Sequence, residues 1–449
     1  MRDKLVKLKY WFVGLAAISL YIWGAQHQSH FINTDRDAYD QSAYMNYSKE
    51  LVASDYNYVG GRNRMPLYPM FMSILYDEEM SDQTLFERGK NAGIISALLV
   101  TLIAFLIFRK DASFEFALVP SLIALLSVFA FKAPYFQTET IFYGFSFLLF
   151  VLIYRLIQNP NWILAITTGS IAGLGHLTKA SVLPCLLLGV FWILISSAIR
   201  WKNRETAKPQ KNNFDWKHSG VLCALLIGST YLAVIFPYIN NSKEMTGHYF
   251  YNVNSTFYMW YDSWDEAKEG TRAYNDRFSW PDMPADEIPS PLKYLQEHSL
   301  SQISLRYLTG AIQTLGVGFV TYGYSYFILI YSLLIGGIIS ANSARIRSQI
   351  NLRSLATIGF ISSYFAAYFS LYAWYAPIAI GNRFILSLFL PVLYVITRTL
   401  KDLQDHNMEM TLVRRKITST TVNKTLLYAL IIYSITLLPF LVSRIDGGH

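Results

Sequence analysis

Charge is scarce in this chain. Only 15% of its 449 residues are Asp, Glu, Lys or Arg, against about a quarter in a soluble protein of ordinary composition. That shortage excludes a water-facing globule. Cysteine is nearly absent: Cys185 and Cys223 each lie inside an apolar run, which excludes a disulfide framework or a zinc cluster and leaves two small core residues as the simplest reading. There is no Gly-rich phosphate loop, no metal-ligand cluster and no nucleophile elbow, which argues against ATP or nucleotide-sugar chemistry on a cytoplasmic face. Internal repeats, low-complexity tracts and heptads are also missing, and the lack of an inverted repeat counts against a secondary transporter.

Apolar length is what the chain has in quantity. It is 53% hydrophobic and 16% aromatic, with a mean hydropathy of +0.27. Runs long enough to cross a bilayer, or nearly so, fall at 10–25, 92–108, 114–131, 138–157, 162–177, 181–199, 219–238, 324–341, 354–375, 383–397 and 425–442. They predict an all-helical integral membrane protein with about eleven spans. The segment 303–320 is a further candidate, read as lying along the interface. The first run follows Lys4, Lys7 and Lys9 like a signal peptide, but Gln26-His27-Gln28 stands where small cleavage-site residues would be, so it reads as an uncleaved first span.

A net charge of +8 would suit nucleic acid if it were one patch. It is dispersed instead over the N-terminus and the connections holding Arg109 and Lys110, Arg155, Arg200 to Lys217, Arg345 to Arg353, and Arg398 to Lys416. With an odd number of spans all of these fall on one side, which is the positive-inside pattern and excludes nucleic acid as partner. The outside then receives two large loops, 26–91 and 239–305, and short connections near 132–137, 176–181 and 376–383. The second loop is rich in Trp, Tyr, Asp and Glu, including Trp260, Trp264 and Trp280, and is expected to fold on itself. Its tryptophans suit stacking on sugar faces, or more simply anchoring and a small core.

The first loop carries Asp35, Asp37 and Asp40, then a helical pattern in which Tyr44, Tyr47 and Leu51 share a face. Such a helix is expected to lie on the bilayer surface and hold Asp40 at a fixed depth. The simpler reading makes Asp40 a helix N-cap and Asp35 and Asp37 solvated turn residues. Arg62, Arg64, Pro66 and Pro69 follow in the same loop. Acid first, then cations and prolines, suggests chemistry on a phosphorylated lipid.

The string Asp40-Gln41-Ser42-Ala43-Tyr44 through Ser48-Lys49-Glu50-Leu51 resembles the first-loop motif of polyprenyl-phosphate-dependent membrane glycosyltransferases. These form the GT-C superfamily, in the branch of protein O-mannosyltransferases and aminoarabinose transferases (glycosyltransferase family 39-like). Arg64-Met65-Pro66-Leu67-Tyr68, Thr138-Glu139-Thr140, Gly173 to Lys179, and Asn382-Arg383-Phe384 with Pro391 are similar to later motifs of that family, in the same order. The likeness runs to about residue 400 and leaves 239–305 unmatched. It implies a GT-C-like module over 1–400, with 401–449 as a cytoplasmic connection and a last span.

The resemblance implies a donor polyprenyl-phosphate-linked sugar, a lipid, glycan or protein acceptor, and an active site facing outside a prokaryotic inner or plasma membrane. Asp40 matches the catalytic Asp. It is expected to take the acceptor's proton, with inversion at the anomeric carbon and a pKa raised by partial dehydration. Arg64, Arg383, Arg62 and Lys179 are the candidates for the donor phosphate, since guanidinium suits phosphate oxygens. For Arg62 and Lys179 simple snorkelling is the alternative. Glu139, Tyr44, Tyr68, Asp37 and His176 are assigned to substrate, although His176 reads more simply as a core histidine. No organic cofactor is implied. Gln41 stands where the motif carries a second acid, which argues against a divalent metal. A non-enzymatic transporter or flippase for lipid-linked sugars is the alternative, and would want charges along a path through the spans.

Overall fold

The computed structural model describes residues 2–57, 60–206, 219–277, 282–350 and 352–448. Helices occupy all eleven predicted runs. Among the described residues nine helices are long and apolar enough to cross a membrane. The other two runs lie in Arg2–His27, of 26 residues, and Trp162–Thr178, of 17 residues, the latter about 25 Å long. Many of these helices turn Leu and Ile side chains outward with no protein over them, such as Leu99, Leu225 and Ile435. An all-α bundle with such a surface is an integral, multi-pass membrane protein.

The helix Phe114–Lys132 runs through the centre, buried over nearly its whole length. Pro120 removes one of its backbone donors, and the ladder widens to a π turn at Leu125–Phe129. Trp162–Thr178 packs closely on Gly220–Thr246. A Cβ at Gly173 would lie 2.6 Å from the Cβ of Val234, so this motif glycine serves a helix crossing.

Two ends can be distinguished. At one, Asp111 meets Arg155 and Arg398, and Arg200 donates to the carbonyls of Ile157 and Gln158. This end holds the basic connections. It also holds a small antiparallel hairpin, Met410–Leu412 with Arg415–Ile417, closed by Val413 and Arg414 in left-handed backbone. At the opposite end the two large loops meet.

The first loop is not draped on lipid as expected. The helix Gln41–Ala53 buries Met45, Tyr47, Ser48 and Leu51, and packs on Leu67–Ser73. Met45 joins Tyr68, Leu85, Phe86 and Phe136 in a separate core. Met45 completes an apolar stripe wide enough to seat the helix on protein, and Tyr44 is left half-buried at its edge. The span predicted at 92 begins at Asp82, with Ser81 as its cap. Its added turns are held by Lys90, which is buried and donates to the carbonyls of Ser29 and Asn33.

The second loop folds on itself. Short helices at Val253–Thr256, Trp264–Glu269 and Pro291–Glu297 surround Tyr251, Phe257, Tyr258, Ala267 and Ile378. The helix Leu300–Val320, started by a Ser299/Gln302 capping box, is not among the nine spanning helices. It stays at this end of the bundle, with Tyr307 bonded to Ser370, Gly310 against Ala373 and Gly318 near Ile385.

Candidate active site

Between the two loops lies a cleft of about 820 Å³. Its walls come from 37–44 and 63–65, from Glu139, from 178–184, from the second loop and from 371–384.

Asp40 occupies the N-cap position of Gln41–Ala53, but its side chain accepts no capping bond. Tyr39 and Asp40 are both left-handed, at φ 57° and 70°, and the turn directs the carboxylate into the cleft. There it accepts from Arg64 Nη2 at 2.6 Å and pairs with Arg383 Nη1 at 3.5 Å. The simple capping reading therefore fails. The expected rise in pKa fails as well. Burial pushes the carboxyl up, but the Arg64 and Arg383 guanidiniums outweigh it and hold Asp40 below its ordinary value. With 46% of the side chain exposed, the carboxylate stays open to the cleft.

Arg64 lies over the Tyr44 ring at 5.6 Å. Arg383 is fixed through its carbonyl, which accepts from Tyr143 at 2.8 Å. Glu139 starts its helix, where the dipole favours a carboxylate, and is buried against Lys179 Nζ at 3.3 Å. Lys179 also faces the rings of Phe142 and Phe384. Lys132, at the end of the central helix, is buried close enough to bear on the Glu139 charge.

The structure thus brings Asp37, Asp40, Tyr44, Arg64, Glu139, Lys179 and Arg383 to one cleft. Three other predicted site residues lie elsewhere. Arg62 is fully buried behind the wall, donating to Asn241 at 2.5 Å and stacked on Tyr238 at 4.3 Å. Its backbone N–H donates to the Arg277 carbonyl, and its own carbonyl accepts from Val253, so it pins the two loops together. His176 is a core histidine bonded to the Tyr231 hydroxyl at 3.1 Å. Tyr68 is buried edge-on between Tyr44 and Phe136. It supports Tyr44 without lining the cleft.

The sequence reading missed the opposite wall. Arg272 and Arg277 line it with Asn252, Asn254, Ser255 and Tyr258. Asn254 donates to the Asn63 carbonyl and accepts from Tyr375, which stitches this wall to both neighbours. Trp264 lines the cleft beneath Arg272, at 5.1 Å. Trp260 packs against Trp374 and Tyr294 as loop core, and Trp280 lies outside the described residues. The lining holds five cationic side chains (Arg64, Lys179, Arg272, Arg277, Arg383) against three carboxylates (Asp37, Asp40, Glu139). That excess favours an anionic ligand.

Gln41 does not reach the cleft. It is fully buried, exchanging amide bonds with Asn33 and accepting from the Phe136 N–H. Among the described residues no group of three or more His, Cys, Asp or Glu side chains is placed to hold a metal ion.

No protein-family model and no curated protein sequence matches the chain. Solved structures similar to it include the oligosaccharyltransferase AglB from Archaeoglobus fulgidus, in complex with an inhibitory peptide and a dolichol-phosphate. That likeness has TM-score 0.44 and 12% identity, over 98% of this chain and 56% of that one. ArnT from Cupriavidus metallidurans in the apo state gives TM-score 0.47 and 11% identity, over 100% of this chain and 74% of that one. ArnT bound to undecaprenyl phosphate gives 0.34 and 14%, over 88% and 78%. The chain spans little more than half the length of the oligosaccharyltransferase structures.

Proposed function

We propose that this chain is an inverting glycosyltransferase that moves a sugar from a polyprenyl-phosphate donor to an acceptor on the extracytoplasmic side of the membrane. One observation carries the reading. A carboxylate open to a cation-rich cleft is held between two arginines that themselves line that cleft.

In this reading the donor phosphate takes the Arg64 and Arg383 donors, with Lys179 as a further cation. The arginines then share their charge with phosphate, and the Asp40 carboxylate recovers base strength where the acceptor arrives. The acceptor O–H or N–H gives its proton to Asp40. Its heteroatom bonds to the anomeric carbon from the face opposite the phosphate, and the bond from that carbon to the phosphate oxygen breaks. Polyprenyl phosphate leaves with the electron pair, its new charge met by guanidinium groups already in place. Glu139 and Asp37 are assigned to hydroxyl groups of the bound sugar. Arg272 and Arg277 are assigned to an acceptor that carries negative charge.

The test is sugar transfer from polyprenyl-phosphate donors in proteoliposomes holding the wild-type chain or Asp40→Asn. Turnover should fall more than about a hundredfold in the variant, as for loss of a positioned base. Wild-type turnover in Asp40→Asn at equal protein would reject the assigned base. Lipid translocation without transfer in both proteins would point to a flippase instead.

A further inference from the structure

Residues 446–448 follow the last long helix, and no motif of the proposed chemistry includes them. They are nevertheless built into the floor beside the cleft. Asp446 Oδ2 accepts from the Tyr39 hydroxyl at 2.5 Å, and its Oδ1 accepts from the Tyr135 hydroxyl at 2.6 Å and from the Gly448 N–H at 2.8 Å. Gly447 N–H donates to the Tyr135 hydroxyl at 3.0 Å. The Gly447 carbonyl accepts from the Tyr322 hydroxyl at 3.1 Å, and that hydroxyl in turn accepts from Asn382 Nδ2 at 3.0 Å. The segment therefore touches the residue before Asp40 on one side and reaches the residue before Arg383 on the other.

The fit is tight. A Cβ at Gly447 would lie 2.0 Å from the Phe131 carbonyl oxygen, and one at Gly448 would lie 2.2 Å from the Tyr39 ring. Only glycine fits at either position without movement of the neighbours. Gln28 fastens the approach by donating to the carbonyls of Val442 and Ile445.

What this holds is a conformation the chain would not choose. Two successive non-glycine residues, Tyr39 and Asp40, are left-handed. Such backbone persists only where its surroundings over-determine it. Gln41 pins the far side through Asn33 and Phe136, and Gln137 donates to the Tyr39 carbonyl at 2.7 Å. Asp446 fixes the Tyr39 side chain itself through the Tyr39 hydroxyl. If Tyr39 relaxed to ordinary backbone, the Asp40 side chain would leave the cleft.

We infer that Asp446–Gly448 is a positioning strap that sets the direction of Asp40 through Tyr39 and braces Arg383 through Tyr322 and Asn382. Asp446 touches no reacting atom and acts through its neighbours. The catalytic half of the inference rests on the transferase reading; the structural half does not.

The test uses the full chain in nanodiscs and two readouts. Hydrogen exchange compares wild type with Asp446→Ala and Gly448→Val. Protection should fall in peptides covering 38–44 and 381–385 and stay unchanged over 251–277. Unchanged exchange at 38–44, or equal loss everywhere, would overturn the strap whether or not the chain transfers sugar. Turnover is then measured for Asp446→Ala, Tyr39→Phe and the double variant. Each single change should lower kcat about ten- to a hundredfold, as a misplaced reacting group does, with donor KM within about twofold for Tyr39→Phe, which leaves the Arg383 side of the strap untouched. The double should be no worse than the poorer single. Additive losses, or a rise in KM alone, would refute positioning through Tyr39. If the wild-type chain transfers no sugar while the exchange pattern appears, the transferase reading fails and the strap stands.

Discussion

Two aspartates in the large loops invite comparison. Asp40 and Asp262 are similarly exposed, at 46% and 43% of the side chain, and each is paired with arginine. Asp262 accepts from Tyr294, from His298 Nε2 and from Arg306 Nη1, all within 2.8 Å. Burial pushes its carboxyl up, but these donors hold it below the ordinary value. By charge alone the two sites look alike. The difference is in the cations. Arg306 is buried between the rings of Tyr294 and Trp374, and its other donors go to the carbonyls of Met259 and Trp374. All three of its nitrogens bond within the protein, so this cluster is a clasp joining the second loop to the bundle. Arg64 and Arg383 line the cleft and can exchange their carboxylate partner for a ligand. An ion pair becomes a site where its cations have somewhere else to turn.

That contrast can be broken by experiment. After Asp40→Asn, the largest effect is expected from Arg64→Ala with Arg383→Ala. Removing both guanidiniums should weaken polyprenyl phosphate binding by at least about a hundredfold, since each charge-assisted bond contributes roughly 1.5–3 kcal/mol. Calorimetric titration in detergent reads this, and wild-type affinity in the double variant would make Asp40 and Asp262 equivalent after all. A smaller change follows from Arg272→Ala with Arg277→Ala. The KM for an anionic acceptor should rise about three- to tenfold with kcat held, as expected when uniform binding is lost. An equal rise for a neutral acceptor analogue would contradict the assignment.

Asp262→Ala should do the opposite of Asp40→Asn. Turnover is expected to stay within about threefold, while the thermal midpoint drops by about 1–3 °C, because a buried guanidinium loses its carboxylate at a cost of about 1–3 kcal/mol. A loss of turnover at unchanged midpoint would move Asp262 into the chemistry. The smallest effect concerns pH. His298 faces two acceptors, Asp262 Oδ2 and the Tyr294 carbonyl, an arrangement that only the protonated ring, donating from both nitrogens, satisfies in full. Partial burial works against that charge, but these acceptors win and raise its pKa above the ordinary value. A raised histidine stabilises fully below its unfolded pKa and ceases to as pH climbs through the folded one. Asp262 remains ionised throughout that window. As pH rises from below the ordinary histidine range to above it, the wild-type midpoint should therefore fall relative to His298→Gln, by at most about 1 °C for so exposed a pair. Parallel curves would remove His298 from the clasp.

The spans were legible because a bilayer tolerates so few alternatives. Their ends were not, since Asp82 through Lys90 hold only Leu85 and Phe86 as large apolar residues and are helical through the Ser81 cap, the burial of that pair and the Lys90 bonds to first-loop carbonyls. Asp40 and Arg64 stood out by order and resemblance. Arg62 and Arg64 are two residues apart and equally basic, yet the turn at Gly61 sends one into the wall and the other into the cleft, which composition cannot express. His176 sits in a motif-like stretch, but its helix face points to Tyr231. Arg272 and Arg277 belong to a loop with no recognisable pattern. The hairpin at 410–417 has neither Gly nor Asn in its two-residue turn, so the usual signal is missing.

The helix Leu300–Val320 leaves Leu305, Leu308 and Ile312 more than half uncovered, while its other side delivers Arg306 to Asp262. A change in lateral pressure or bilayer thickness is thus expected to reach the cleft through that helix, whose Arg306 holds Asp262 and whose Gly310 lies against Ala373 in the wall. The lipid mixture chosen for reconstitution is therefore a variable to titrate in each of these assays.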